Sequence, residues 1–108
     1  MTINPEVLSN VIEAVLAQTG HSQRWLNAVN RGALLIEEER CLPTEDGALL
    51  IFSDSGAEYR TTEKDCRTGN EPCKAWSLGQ PCKHVAAFRL MALIEEAQAA
   101  SDASTTSH

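Results

Sequence analysis

Cys66, Cys73, Cys82 and His84 fall within one short polar stretch broken by Gly69, Pro72, Gly79 and Pro81. Three thiols and one imidazole are the donor set of a closed structural zinc site, which takes four sulfur or nitrogen ligands in a tetrahedron. The six residues between Cys66 and Cys73, and the eight between Cys73 and Cys82, are enough chain to close around a single ion. Cys82 and His84 can turn the same way from one bend, and His84 stands immediately before an apolar run that reads as a helix. Amides at that helix start would favour a negatively charged centre. Lys74 and Lys83, each beside a ligand, add positive charge. Four protein donors leave no position for an activated water, so the cofactor expected is one structural Zn2+.

Other chemistries of the same residues fit less well. Disulfides belong to an oxidising compartment. Residues 1–6 show no basic region leading into an apolar core, and in a reducing cytoplasm, where this chain is expected, clustered thiols are more often metal ligands. A Cys82–His84 nucleophile pair lacks an orienting third group. There is no HExxH motif, no Gly-rich phosphate loop and no Ser/His/Asp set, and Glu37–Glu39 and Glu95–Glu96 read as solvated faces. The expectation is therefore a non-enzyme. Cys41 reads as a buried small side chain, His21 as exposed and His108 as part of the tail.

From Gly79 to Ala87 the chain runs Gly-Gln-Pro-Cys-Lys-His-Val-Ala-Ala, with Trp76 three residues after Cys73 and a strand-like segment carrying Tyr59 ahead of the thiols. In these features residues 49–93 resemble the SWIM zinc finger, whose pattern is Cys-x-Cys, a short spacer and Cys-x-His leading into a helix. The resemblance implies a zinc-stabilised module that binds protein or nucleic acid. One departure stands out: the family's first two cysteines are one residue apart, whereas six residues separate Cys66 from Cys73, and Glu71 occupies the usual first-ligand position. Either Cys66 has taken over across a small inserted loop, or Glu71 coordinates and Cys66 is spare. A soft thiolate suits zinc better than a lone carboxylate, which favours Cys66.

The net charge is −6, unevenly spread. Residues 1–56 carry three arginines against eight carboxylates, residues 57–90 carry six Lys/Arg against four, and the remainder adds three acids. A strong nucleic-acid binder shows a distinct basic face; an acidic body suits a basic protein surface instead. A protein partner is therefore expected. The rival is a DNA- or RNA-binding accessory protein contacting phosphates through Arg60, Lys64, Arg67, Lys74 and Lys83. The longest apolar run, residues 85–94, contains Arg89 and is too short to span a membrane.

The elements that must position these residues are legible in outline. Asn4 and Pro5 open a first helix with Val7, Leu8, Val11, Ile12, Val15 and Leu16 on one face, and Gly20 is placed to end it. Ser22 caps a second, carrying Trp25, Leu26, Val29, Ala33 and Ile36, whose end frays before Arg40 at three consecutive glutamates. Residues 41–47 read as a connection, 48–53 and 57–62 as a β-hairpin, and the Cys/His segment as largely irregular. A third helix, from 85 to about 100, is apolar nearly all round and therefore central. The reading is an α+β protein: two N-terminal helices, a β-hairpin, a Cys3His zinc knuckle and a buried C-terminal helix. Its domain is single and spans 1–100, with a helical part (1–40), a SWIM-like part (48–94) and a disordered tail (101–108).

Overall fold

The computed structural model describes residues 4–106 apart from 54, 55, 64 and 70. It is α+β, with four helices and a five-stranded antiparallel sheet. Helix α1 (Pro5–Gln18) starts as its sequence dictates, Asn4 accepting the Glu6 amide at 2.9 Å with Pro5 next to it. The chain leaves through Thr19 and Gly20, the latter at φ 72°, where a Cβ would be strained. Helix α2 (Gln23–Glu37) is capped by Ser22, which accepts from the Trp25 amide. It ends among the three glutamates, with Glu39 at φ 58° and Arg40 pairing with Glu38 at 3.3 Å.

The sheet departs from a simple hairpin. Strands β1 (Cys41–Pro43), β2 (Leu49–Phe52), β3 (Glu58–Thr62), β4 (Asp65–Thr68) and β5 (Glu71–Pro72) follow one another in space as in sequence. The expected pair is β2 and β3, in register Ile51 to Tyr59. Residues 41–47, expected as a connection, instead supply edge strand β1. Thr44 closes the turn by accepting the Gly47 amide and donating to Ala48, and Pro43 sits at the strand end, where a missing amide does no harm. The Cys/His segment is likewise more regular than expected. Polar strands this short carry too little alternation to be seen in sequence, yet Cys66 pairs with Thr61, and Arg67 with both Arg60 and Pro72.

Helix α3 (Lys74–Ser77) is a single turn, and helix α4 (Lys83–Thr106) is the longest element. It begins two residues before the expected start, so that His84 lies inside its first turn, and it continues past Ala100 as far as Thr106. Residues 107 and 108 of the expected tail lie outside the described residues.

Helix α4 is central, packing on α1, α2, β3 and β4. Its Ala86, Ala87, Leu90, Met91 and Ile94 join Leu8, Val11 and Val15 of α1, Val29, Ala33 and Ile36 of α2, and Leu49 and Ile51 of β2 in one apolar core. Gly32 allows α2 to approach closely: a Cβ there would lie 2.8 Å from the Ala87 nitrogen and 2.9 Å from the Lys83 carbonyl oxygen. A second, smaller core contains Cys66, Cys73, Cys82 and Val85, flanked by Trp25, Tyr59, Ala75 and Trp76. No helix among the described residues is long and apolar enough to cross a membrane.

Candidate metal centre

Each of the four donors is delivered by a different piece of backbone logic. Cys66 lies on the inward face of β4, fully buried, and accepts a contact from the Thr61 hydroxyl at 3.6 Å. The turn at Gly69 (φ 63°) and the short β5 return the chain so that the Cys73 amide bonds the Cys66 carbonyl at 2.9 Å. Cys73 is the N-cap of α3, its sulfur accepting from the Trp76 amide at 3.4 Å. Cys82 stands at the head of α4: its carbonyl accepts from Ala86 at 3.0 Å, and its sulfur accepts from the His84 amide at 3.3 Å. Two of the three thiols thus sit where helix amides converge and where negative charge is favoured.

The four side chains meet. The Cys73 and Cys82 sulfurs are 3.4 Å apart, Cys82 sulfur and His84 Nδ1 are 3.3 Å apart, and one ligand atom from each of the four lies within 4.8 Å of the others. All four residues are buried and no cysteine of the chain is in a disulfide. A tetrahedron with metal–sulfur bonds of about 2.3 Å has edges of roughly 3.8 Å, so an ion fits this cluster with small adjustments. The imidazole is held from one side by Tyr59, whose ring stacks on it at 4.1 Å between centroids and 17° between planes.

The thiols divide their protons unequally. Cys66 is pushed well above the ordinary range, first by its hydrogen bond with Cys82, then by burial and by the neighbouring sulfur charge. Cys82 is drawn down to about 4, chiefly by that same bond; burial opposes this, and His84 and the Val85 amide assist it. Cys73 is raised, mainly by burial. Burial thus disfavours charge on Cys66 and Cys73, while hydrogen bonds at the helix head favour it on Cys82. A bound divalent cation would displace the thiol protons.

Cys66, Cys73, Cys82 and His84 are therefore gathered into one group able to hold a single metal ion. Glu71, the alternative first ligand, is exposed on β5 and outside the cluster. Cys41 is a half-buried neighbour of the helical core, its thiol raised to about 11 by burial. Trp76 packs on the thiol cluster, while Trp25 touches both cores and lies 5.0 Å beneath the Arg89 guanidinium.

Of the candidate phosphate contacts, two are paired with carboxylates and two border one cavity. Arg60 on β3 is paired with Asp46, and Arg67 on β4 with Asp65 at 2.6 Å. Lys64 lies outside the described residues. Lys74 and Lys83 do come together, beside two residues that sequence reasoning did not single out, Arg24 and Arg31. The signal was present: Arg24, Asn27 and Arg31 recur at helical spacing along α2, off its apolar stripe. No family model, curated protein or solved structure matches the chain.

Proposed function

We propose that the chain is a small non-catalytic module in which one structural zinc ion, held by Cys66, Cys73, Cys82 and His84, organises a surface for a protein partner. The observation that carries this reading is the meeting of three thiols and one imidazole nitrogen in a buried group. Soft sulfur with imidazole selects zinc over hard cations, and four protein donors leave no open position for catalysis. The zinc supplies cross-linking: it ties β4, the head of α3 and the head of α4 to one point.

The likeness of residues 49–93 to a SWIM finger supports the same role, with Cys66 taking the first ligand place. The acidic body favours a basic protein surface, and the sheet's outer face offers Leu42 and Phe52, which are 55% and 38% exposed. Pairing of Arg60 and Arg67 with carboxylates weighs against an extended nucleic-acid track. The cytoplasm, with its reduced thiols, is the compartment that suits this chemistry.

Elemental analysis of reduced, freshly purified protein is expected to give one zinc per chain, and X-ray absorption three sulfur neighbours and one nitrogen. Zinc-free protein, or an oxygen neighbour in place of a sulfur, sinks the reading. Cross-linking of the loaded chain in its native host, with Cys82→Ser beside it, is expected to capture a protein partner only for the loaded form.

A further inference from the structure

A cavity of about 260 Å³ opens beside the thiol cluster, between α2 and the two ligand-bearing turns. Arg24, Asn27 and Arg31 of α2 line it together with Lys74 and Lys83. Tyr59 and His84 also border it, and among the described residues no carboxylate does. In a chain with 15 Asp/Glu against nine Lys/Arg, four cations around one cavity without an acid is far from the average surface. None of the four makes an ion pair among the described residues, whereas Arg40, Arg60 and Arg67 each have a carboxylate.

Balancing the metal centre accounts for only part of this charge. Three thiolates and a neutral imidazole around a divalent cation leave about one negative charge, and Lys74 and Lys83 beside the ligands already exceed it. Arg24 and Arg31 come from a helix that provides no ligand. Their planar forks suit oxyanions with several oxygens, because each can donate two parallel hydrogen bonds. All four cations border one small cavity, an arrangement that suits a single compact anion better than a long backbone.

From this we infer that the cavity is a binding site for a phosphomonoester dianion, gripped by Arg24, Arg31, Lys74 and Lys83. The volume accommodates a phosphate with a small attached body, below the range of about 300–1,000 Å³ that holds drug-sized ligands. Asn27 adds an uncharged donor. The inference rests on the metal reading, since Lys74 and Lys83 reach this position only through the folding of the turns that carry Cys73 and Cys82. Metal loading and phosphate binding are accordingly linked, with the metal required first.

The test is calorimetric titration of the full chain, its metal content measured on the same sample, with three probes: inorganic phosphate, a nucleoside 5′-monophosphate, and a single-stranded oligonucleotide without a terminal phosphate. Expected is one-to-one binding of phosphate or the monophosphate that weakens with added salt. Arg24→Gln with Arg31→Gln is expected to weaken it at least about tenfold, with metal content and melting temperature unchanged. Arg60→Gln with Arg67→Gln is expected to leave it unaltered. If free phosphate alone binds, the ligand is the inorganic ion; if the monophosphate binds more tightly, its attached body enters the cavity. Metal-loaded protein that binds neither overturns the inference and leaves the metal reading intact. Metal-free protein overturns the metal reading instead. Tighter binding of the oligonucleotide than of either phosphate, or equal loss in both double variants, replaces the pocket by a diffuse polyanion surface.

Discussion

The two cores of this molecule share one helix and are built by different means. At the α1–α2 end, Leu90 and Ile94 of α4 join Val15, Val29 and Ile51, all fully buried, and order comes from many weak contacts among aliphatic groups. At the β4–α3 end the buried set is three cysteines and Val85. The inner face of the sheet passes from one regime to the other, from Leu49 and Ile51 on β2 to Thr61 on β3 and Cys66 on β4. A core of aliphatic side chains degrades gradually when one is trimmed. With an ion bound as proposed, a core of four donors would depend on every donor, so damage there would be close to all or none.

On the proposed zinc reading, the largest effect should follow from removing the ion. Structural zinc sites contribute about 10–16 kcal/mol at neutral pH, which matches or exceeds the whole stability of a typical small domain. Chelation, or Cys82→Ser, is expected to abolish amide-exchange protection across residues 57–94, while α1 and the first turns of α2 keep part of theirs. A melt unchanged in protein shown to be metal-free would merge the two cores into one apolar core.

Leu90→Ala addresses the other end. Trimming a fully buried leucine costs about 2–5 kcal/mol, and denaturant titration should show that loss with one metal still bound per chain. Loss of metal together with stability would show that the helical core carries the site.

Gly32→Ala falls between the two. The new methyl meets backbone at 2.8 and 2.9 Å, so α4 must move away from α2 at the turn that carries His84. Overpacking of this kind costs about 1–3 kcal/mol, and it is expected to weaken metal retention against a competing chelator as well. Stability lost with retention unchanged would separate the cores more sharply than the structure does.

The smallest effect belongs to Asp46. Its carboxyl is held below its ordinary 3.8 by the Thr44 hydroxyl first and by Arg60 second, and it is exposed. A folded value below the unfolded one means that its contribution is present above that pH and lost as the solution is acidified through it. Asp46→Asn is expected to lower the neutral-pH melt slightly, to leave the melt in strong acid unchanged, and so to flatten the acid limb of stability against pH.

Sequence legibility divided along the same line as the cores. Helices α1 and α2 could be read to their caps, because Asn4, Pro5 and Ser22 act on amides only a few residues away and the apolar stripe repeats for four turns. The grouping of Cys66, Cys73, Cys82 and His84 was legible from residue type and spacing. Strands β1, β4 and β5 were not, since two to four residues with polar or turn-forming side chains leave no period to detect. The convergence of Arg24 and Arg31 with Lys74 and Lys83 was also hidden: their partnership is made by the packing of α2 on α4, across more than forty residues of chain.

A hydrogen atom is all that separates the two longest helices at position 32. Spacing set by main chain against main chain cannot be taken up by a change of rotamer, so α4 is pinned there like a lever on its fulcrum. Substitutions farther along α4 can swing its distant end outward, while the first turn, with its sulfur and imidazole, stays in register.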